Sequence, residues 1–199
     1  MLDLDSGVAA LKGWKVALAM LAALAGLGAA AASIAAWLGD RRLERTVVVR
    51  VVPVPFARDA AAIAQGAELY RRHGCAQCHG DDGAGRVITN DDNGLHVRAP
   101  NITLQAGTAT ATYSEGDWVR AIRHGVSQQG RALMFMPSEE YNRLTDVELA
   151  AIVAYVRSLP PRAGAGAEIR LPFHLKALYG AGLMPDAADR IDHRKPPAP

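Results

Sequence analysis

Cysteine is nearly absent from this 199-residue chain: Cys75 and Cys78 are the only two, so no disulfide framework carries the fold and all thiol chemistry is confined to one place. Lysine is missing from residues 58–157, where ten arginines stand against twelve Asp and Glu, leaving a formal charge of −2. A stretch of that balance lacks the basic face that nucleic acid requires, which excludes nucleic acid as a partner. No internal repeat is present, so a solenoid is excluded. Charge itself is lacking from residues 16–38, a run of 23.

As a helix rising 1.5 Å per residue, that run reaches roughly 34 Å, enough to cross a hydrocarbon core of about 30 Å. Trp14 and Trp37 bracket it, where amphipathic rings sit at the two headgroup layers. The segment reads as a transmembrane anchor over residues 14–38, preceded by a cytoplasmic segment 1–13. A cleaved secretory leader competes with this reading, because small residues near Ala30, Ala32 and Ser33 suit a signal peptidase. Against it stand the length of the run, beyond the usual h-region, and Asp3 and Asp5 ahead of the first Lys.

Residues 39–58 include a β-branched stretch with Pro53 and Pro55, which predicts an extended stalk that cannot be helical. Residues 59–160 hold the helical patterns. Asp59 is placed to cap a helix over roughly 60–73. A second helix, around 115–124, opens at Ser114 and Asp117 and closes at Gly125. In a third, Thr145 and Glu148 form a capping box, Leu149, Ile152, Val153 and Val156 keep helical spacing, and Pro160 lies past the end. Residues 161–199, rich in Pro, Gly and Ala, read as an arm with one apolar patch, LPFHLKALYG.

Residues 75–79 read CAQCH, the C-x-x-C-H pattern of covalent haem attachment: Cys75 and Cys78 add to two vinyl groups of one porphyrin and His79 reaches its iron. Three other readings of C-x-x-C remain: a thioredoxin-like pair, which belongs beside a βαβ pattern; half a zinc site, which here lacks a second ligand pair; and a plain disulfide.

Several separated motifs together resemble a class I cytochrome c, in the form found in cytochrome subunits of bacterial membrane dehydrogenases. They are GAELY at 66–70, CAQCHG at 75–80, APNIT at 99–103, and the stretch from HGVSQQGRALMFMPSEEY to LTDVELAAIVAYVRSLP. The resemblance covers roughly residues 60–160 and implies an all-α fold of helices around one covalent haem c with His/Met axial ligation. Met136, which precedes Pro137, matches the family's distal Met-Pro pair; Met134 is the departure from the pattern and reads as a gap-filling side chain. Pro100 matches the proline whose carbonyl accepts the ring proton of the proximal histidine. Gly66 and Tyr70, facing Tyr155 and Val156, match the contact of the first and last helices. Trp118 has two readings, an indole N–H donor to a haem propionate or plain core.

His73, His96 and His124 are isolated and read as surface or satisfied core residues. Arg86, Arg98, Arg120 and Arg123 are not ranked by the sequence as propionate partners. The missing lysines depart from the mitochondrial relatives, whose lysine ring steers docking.

The resemblance implies a non-enzymatic electron carrier on the periplasmic side of the inner membrane. It would be a subunit of a larger complex, between a quinol-oxidising or dehydrogenase donor and a downstream cytochrome or oxidase. Haem attachment outside the cytoplasm overrides the charge bias, in which Arg41, Arg42 and Arg45 after the span outweigh Lys12 and Lys15 before it. The competing function is a haem-based sensor or enzyme with an open distal site.

Overall fold

The computed structural model describes residues 4–195, with side chains from residue 14 onward. The ends of the expected cytoplasmic segment and of the expected arm, residues 1–3 and 196–199, lie outside the described residues. Helix α1 (Leu4–Leu43) is a single helix of 40 residues. It runs past the expected end of the span at Leu38 and carries Asp40, Arg41 and Arg42 in its final turns. Among its residues from 14 onward, large apolar side chains such as Leu21, Leu24 and Leu27 are exposed.

Helices α2 (Ala60–Arg72), α4 (Glu115–His124) and α6 (Asp146–Ser158) occupy the three predicted positions. Each starts where a side chain satisfies a free backbone donor. The Asp59 carboxylate accepts from the Ala62 N–H, and Ser114 with Asp117 and Thr145 with Glu148 close reciprocal capping boxes. Helix α4 ends at Gly125 with φ 63°, the left-handed conformation that glycine adopts without penalty.

The helices bury their apolar stripes against one another. Leu149, Ile152, Val153 and Val156 of α6 meet Leu69 and Tyr70 of α2 and Val119 and Ile122 of α4 in one cluster. Each such side chain contributes about 1.5–3 kcal/mol by leaving water. At the crossing of α2 and α6, a Cβ on Gly66 would collide with the Ala151 carbonyl and the Tyr155 Cβ. Beside it the Tyr70 and Tyr155 rings pack at 5.2 Å. Short helices α3 (Cys75–His79) and α5 (Ser138–Tyr141) bridge the long ones.

Three features lie outside the expected all-helical plan. Strands β1 (Val87–Asn90), β2 (His96–Arg98) and β3 (Glu168–Arg170) form an antiparallel sheet in the order β1-β2-β3. The residues expected to form a stalk are not a free spacer. Thr46 bridges to Arg131, the Val47 N–H donates to the Gly130 carbonyl at 2.7 Å, and Val49 and Val54 are buried. Phe56 lies under the Arg157 guanidinium at 4.1 Å. The arm also folds back: β3 belongs to it, and so do α7 (Phe173–Gly180), which packs along α1, and α8 (Ala187–Arg190), which packs on α5.

His124, at the end of α4, is buried against this returning arm. His193 donates from Nε2 to the Ala188 carbonyl at 2.9 Å, so its Nδ1 is free to accept from the His124 Nδ1–H at 3.0 Å. Burial first, then the facing His193, Arg123 and Arg120, push the His124 imidazole down to about 4.

Two outcomes follow from this packing. Alanine in place of a mid-helix glycine ordinarily stabilises by up to about 1 kcal/mol; Gly66→Ala should instead destabilise by about 1–3 kcal/mol through overpacking, read as a lower denaturant midpoint. Because His124 binds its proton less readily folded than unfolded, its contribution is constant above about pH 6.5. It is lost as the pH falls from there toward 4. The denaturation midpoint measured across that window should slope less steeply in His124→Asn.

Candidate functional site

The chain leaves α2 through Gly74, whose φ of 74° turns it into α3. Within that one helical turn Cys75 and Cys78 come onto the same side, and His79 follows directly. Both cysteines are free thiols and half-buried. Burial pushes the Cys75 thiol up to about 11. A redox-active C-x-x-C pair needs a depressed thiol, so this environment argues against the thioredoxin-like reading.

Cys75, Cys78 and His79 open onto a cavity of about 880 Å³. Its other walls come from distant parts of the chain: Pro100 and Ile102 after β2, Trp118 and Ile122 of α4, Met134 and Met136 before α5, and Val156 of α6. The lining is mostly apolar, as expected for a site that holds a large organic group.

The His79 Nδ1 lies 3.0 Å from the Pro100 carbonyl. That carbonyl can only accept, so Nδ1 carries the proton and Nε2 keeps its lone pair for a ligand. Burial lowers the His79 pKa, with the Pro100 bond opposing, and keeps the imidazole neutral. Two tyrosines hold the surrounding loop: Tyr70 donates to the Gly80 carbonyl at 2.8 Å and Tyr141 to the His73 carbonyl at 2.9 Å.

Met136 packs against the main core cluster while lining the cavity, and Met134 lines the cavity too. Trp118 is buried with its ring edge-on to Tyr113 at 5.3 Å, and its indole N–H finds no partner among the described residues. An unpaired buried donor costs about 1–3 kcal/mol, and Trp118 itself lines the cavity.

All six candidate residues, Cys75, Cys78, His79, Pro100, Trp118 and Met136, therefore line one space. Two free thiols, one oriented imidazole, a facing thioether and an orphaned donor around an apolar hollow of this size fit a haem. His73 also lines the cavity, whereas His96 and His124 do not. His96 is held by Asn90 at 2.9 Å. Of the unranked arginines, Arg98 reaches the cavity; Arg120 pairs with Asp117 and Arg123 with Asp146.

Sequence reasoning missed Arg131 and the arm residues Ala163 and Ala165, which also line the cavity. It missed Asn101 as well, whose buried amide donates to the Arg162 carbonyl at 2.6 Å and so ties the arm to the APNIT segment. A Pro/Gly/Ala-rich segment carries no local signal of where it will pack.

Comparison with known proteins agrees with this geometry. The family model described as cytochrome c matches residues 63–160. The chain is 29% identical over 143 residues to the fructose dehydrogenase cytochrome subunit of Gluconobacter japonicus, covering 68% of this chain and 29% of that protein. It is 31% identical over 137 residues to the gluconate 2-dehydrogenase cytochrome c subunit of Pantoea cypripedii, covering 63% and 31%. With the cbb3-type cytochrome c oxidase subunit CcoP of Helicobacter pylori it shares 29% identity over 116 residues, covering 58% and 34%. The alignments thus span about a third of each of these relatives.

Proposed function

Residues 63–160 form a cytochrome c domain, an electron carrier, and from that premise we propose that the chain is a membrane-anchored monohaem cytochrome passing single electrons on the periplasmic face of the inner membrane. It acts within a dehydrogenase- or oxidase-linked complex, as the names of its relatives suggest. Its donor is a quinol-oxidising or dehydrogenase unit and its acceptor a downstream cytochrome or oxidase.

The observation that carries the reading is one cavity lined together by both cysteines, a tautomer-fixed His79 and two methionines. Cys75 and Cys78 would hold the haem covalently, and His79 Nε2 and the Met136 thioether would ligate its iron. When bound, the haem supplies a ferric/ferrous couple. The Pro100 carbonyl keeps the imidazole in one orientation and makes it a stronger donor. The Trp118 N–H would meet a propionate oxygen. A soft thioether would favour the ferrous state, and an iron held by both side chains would have no open position for a substrate.

Helix α1 supports the anchor. The stretch between Trp14 and Leu43 contains a window of mean hydropathy 2.0 with none of its residues buried, as a lipid-facing helix requires. Covalent haem attachment on the far side of the membrane then sets the direction of the chain.

Met136→Leu tests the ligand set. The swap keeps volume and apolarity at a cost below about 1.5 kcal/mol, so the domain should fold and take up haem. The oxidised protein should lose its weak long-wavelength charge-transfer band, the midpoint potential should fall, and the reduced protein should bind carbon monoxide. Met134→Leu should change none of these; if that variant is the one to lose the band, Met136 is not the ligand. If the unsubstituted protein already lacks the band and binds carbon monoxide when reduced, the open-site sensor or enzyme replaces the carrier. Trp118→Phe keeps the packing on Tyr113 and removes the donor. It should leave the charge-transfer band in place and shift the pH dependence of the midpoint potential.

A further inference from the structure

Helix α7 presses its backbone onto the last turns of α1. A Cβ on Gly39 would collide with the Lys176 carbonyl, and one on Gly180 with the Ala35 carbonyl. Ala35 and Gly39 stand four apart on α1, the small-residue spacing that lets two helices approach closely in a membrane, and Gly180 meets that strip from α7. The contact lies beside Trp37, where α1 passes from its uncharged run into Asp40, Arg41 and Arg42.

The two sides of α7 differ in kind. Inward, Tyr179 is buried; its hydroxyl donates to Asp186 at 2.6 Å and accepts from Arg45 at 2.8 Å, and the Arg42 guanidinium stacks over its ring. Asp189 adds ion pairs to Arg42 at 2.5 Å and Arg45 at 2.8 Å. Outward, Phe173, Leu178 and Leu183 are 56%, 42% and 72% exposed. On α1 the exposed Ile34 and Leu38 flank the Ala35–Gly39 strip that α7 covers. The apolar surface of the span therefore continues onto α7. The Lys176–Asp40 ion pair, at 2.7 Å, marks its polar edge.

We infer that α7 and Leu183 lie in the headgroup layer of the bilayer that α1 crosses, so that the haem domain is mounted on the phospholipid surface at two points. The inference rests on the reading of α1 as an anchor. Packed antiparallel along α1, with Lys176 level with Gly39 and Gly180 level with Ala35, α7 points its C-terminal end and the exposed Leu183 toward the uncharged run of the span. The mount reaches the site: Arg190 of α8 bonds Glu139 at 2.6 Å, three residues past Met136, and Leu43 at the end of α1 lines the haem cavity. The arm thus sets the height and tilt of the haem above the membrane.

In the mature chain Cys75 and Cys78 are consumed by haem attachment, so an introduced cysteine is a unique thiol. The haem-loaded full chain carrying Phe173→Cys, Leu178→Cys or Leu183→Cys is spin-labelled and reconstituted in vesicles of phosphatidylcholine and phosphatidylglycerol. Val147→Cys, on an exposed face of the haem domain, serves as the reference. Collision with dissolved oxygen should exceed collision with a water-soluble nickel chelate at 173, 178 and 183, and the order should reverse at 147. Three sites keep the measurement independent of one variant's folding. If all three match position 147 while the chain stays with the vesicles after an alkaline carbonate wash, α7 is in water and the inference is overturned with the anchor intact. If the chain leaves with the wash, the anchor reading fails, and the inference with it.

Discussion

At Gly66 the backbone of α2 comes so close to α6 that no side chain fits between Gly66 and the Ala151 carbonyl. That single contact sets the angle and separation of the two longest helices of the haem domain, and other features take their positions from it. Tyr70, four residues on, is held against Tyr155 and reaches the Gly80 carbonyl, so the crossing also sets the far end of the CAQCH turn. α4 and α5 then pack around the pair, and the cluster they form is closed on one side and hollow on the other. A well-packed interior has few voids larger than a water molecule. A hollow of about 880 Å³ lined by apolar side chains belongs to a fold built around something other than polypeptide.

The same logic explains the arrangement of polar groups at the hollow. His79 is committed on one nitrogen to the Pro100 carbonyl and free on the other. Trp118 keeps a buried donor without a protein acceptor. Both residues line the same cavity. The Cys75 thiol, held protonated by burial, is suited to a buried covalent link and unsuited to exchange with solvent.

The segments outside the haem domain are structural parts of it. The connector after α1 contributes Val54 to the main cluster, and Val49 packs with Val126 and Ala188 in a second one. Between α1 and the arm, Arg42 and Arg45 meet Asp186 and Asp189 in a network with Tyr179. Such a network orients its members more than it stabilises them, since partly exposed ion pairs are individually weak. Its consequence is geometric: the network ties the end of α1 to the arm, and the Arg190–Glu139 pair ties α8 of the arm to α5.

The three long helices, their capping residues and the CAQCH turn were legible in the sequence. Caps, helical stripes and the C-x-x-C-H spacing are relations between residues within a turn or two of each other, so local chemistry determines them. The convergence of Pro100, Trp118 and Met136 on His79 was legible only through the resemblance to a family, because nothing local says that residues twenty to sixty positions apart share a cavity. The tertiary structure alone decided the rest. β2 pairs on one edge with β1 across the short turn at 91–95, and on the other with β3, which the arm brings back from beyond the haem domain. The supposed stalk is a Val- and Arg-rich stretch with two prolines and the supposed arm is rich in Pro, Gly and Ala; both have weak helical periodicity and take their conformation from the surfaces they meet: Thr46 from Arg131, Arg162 from Asn101, and α7 from the small-residue strip at the end of α1.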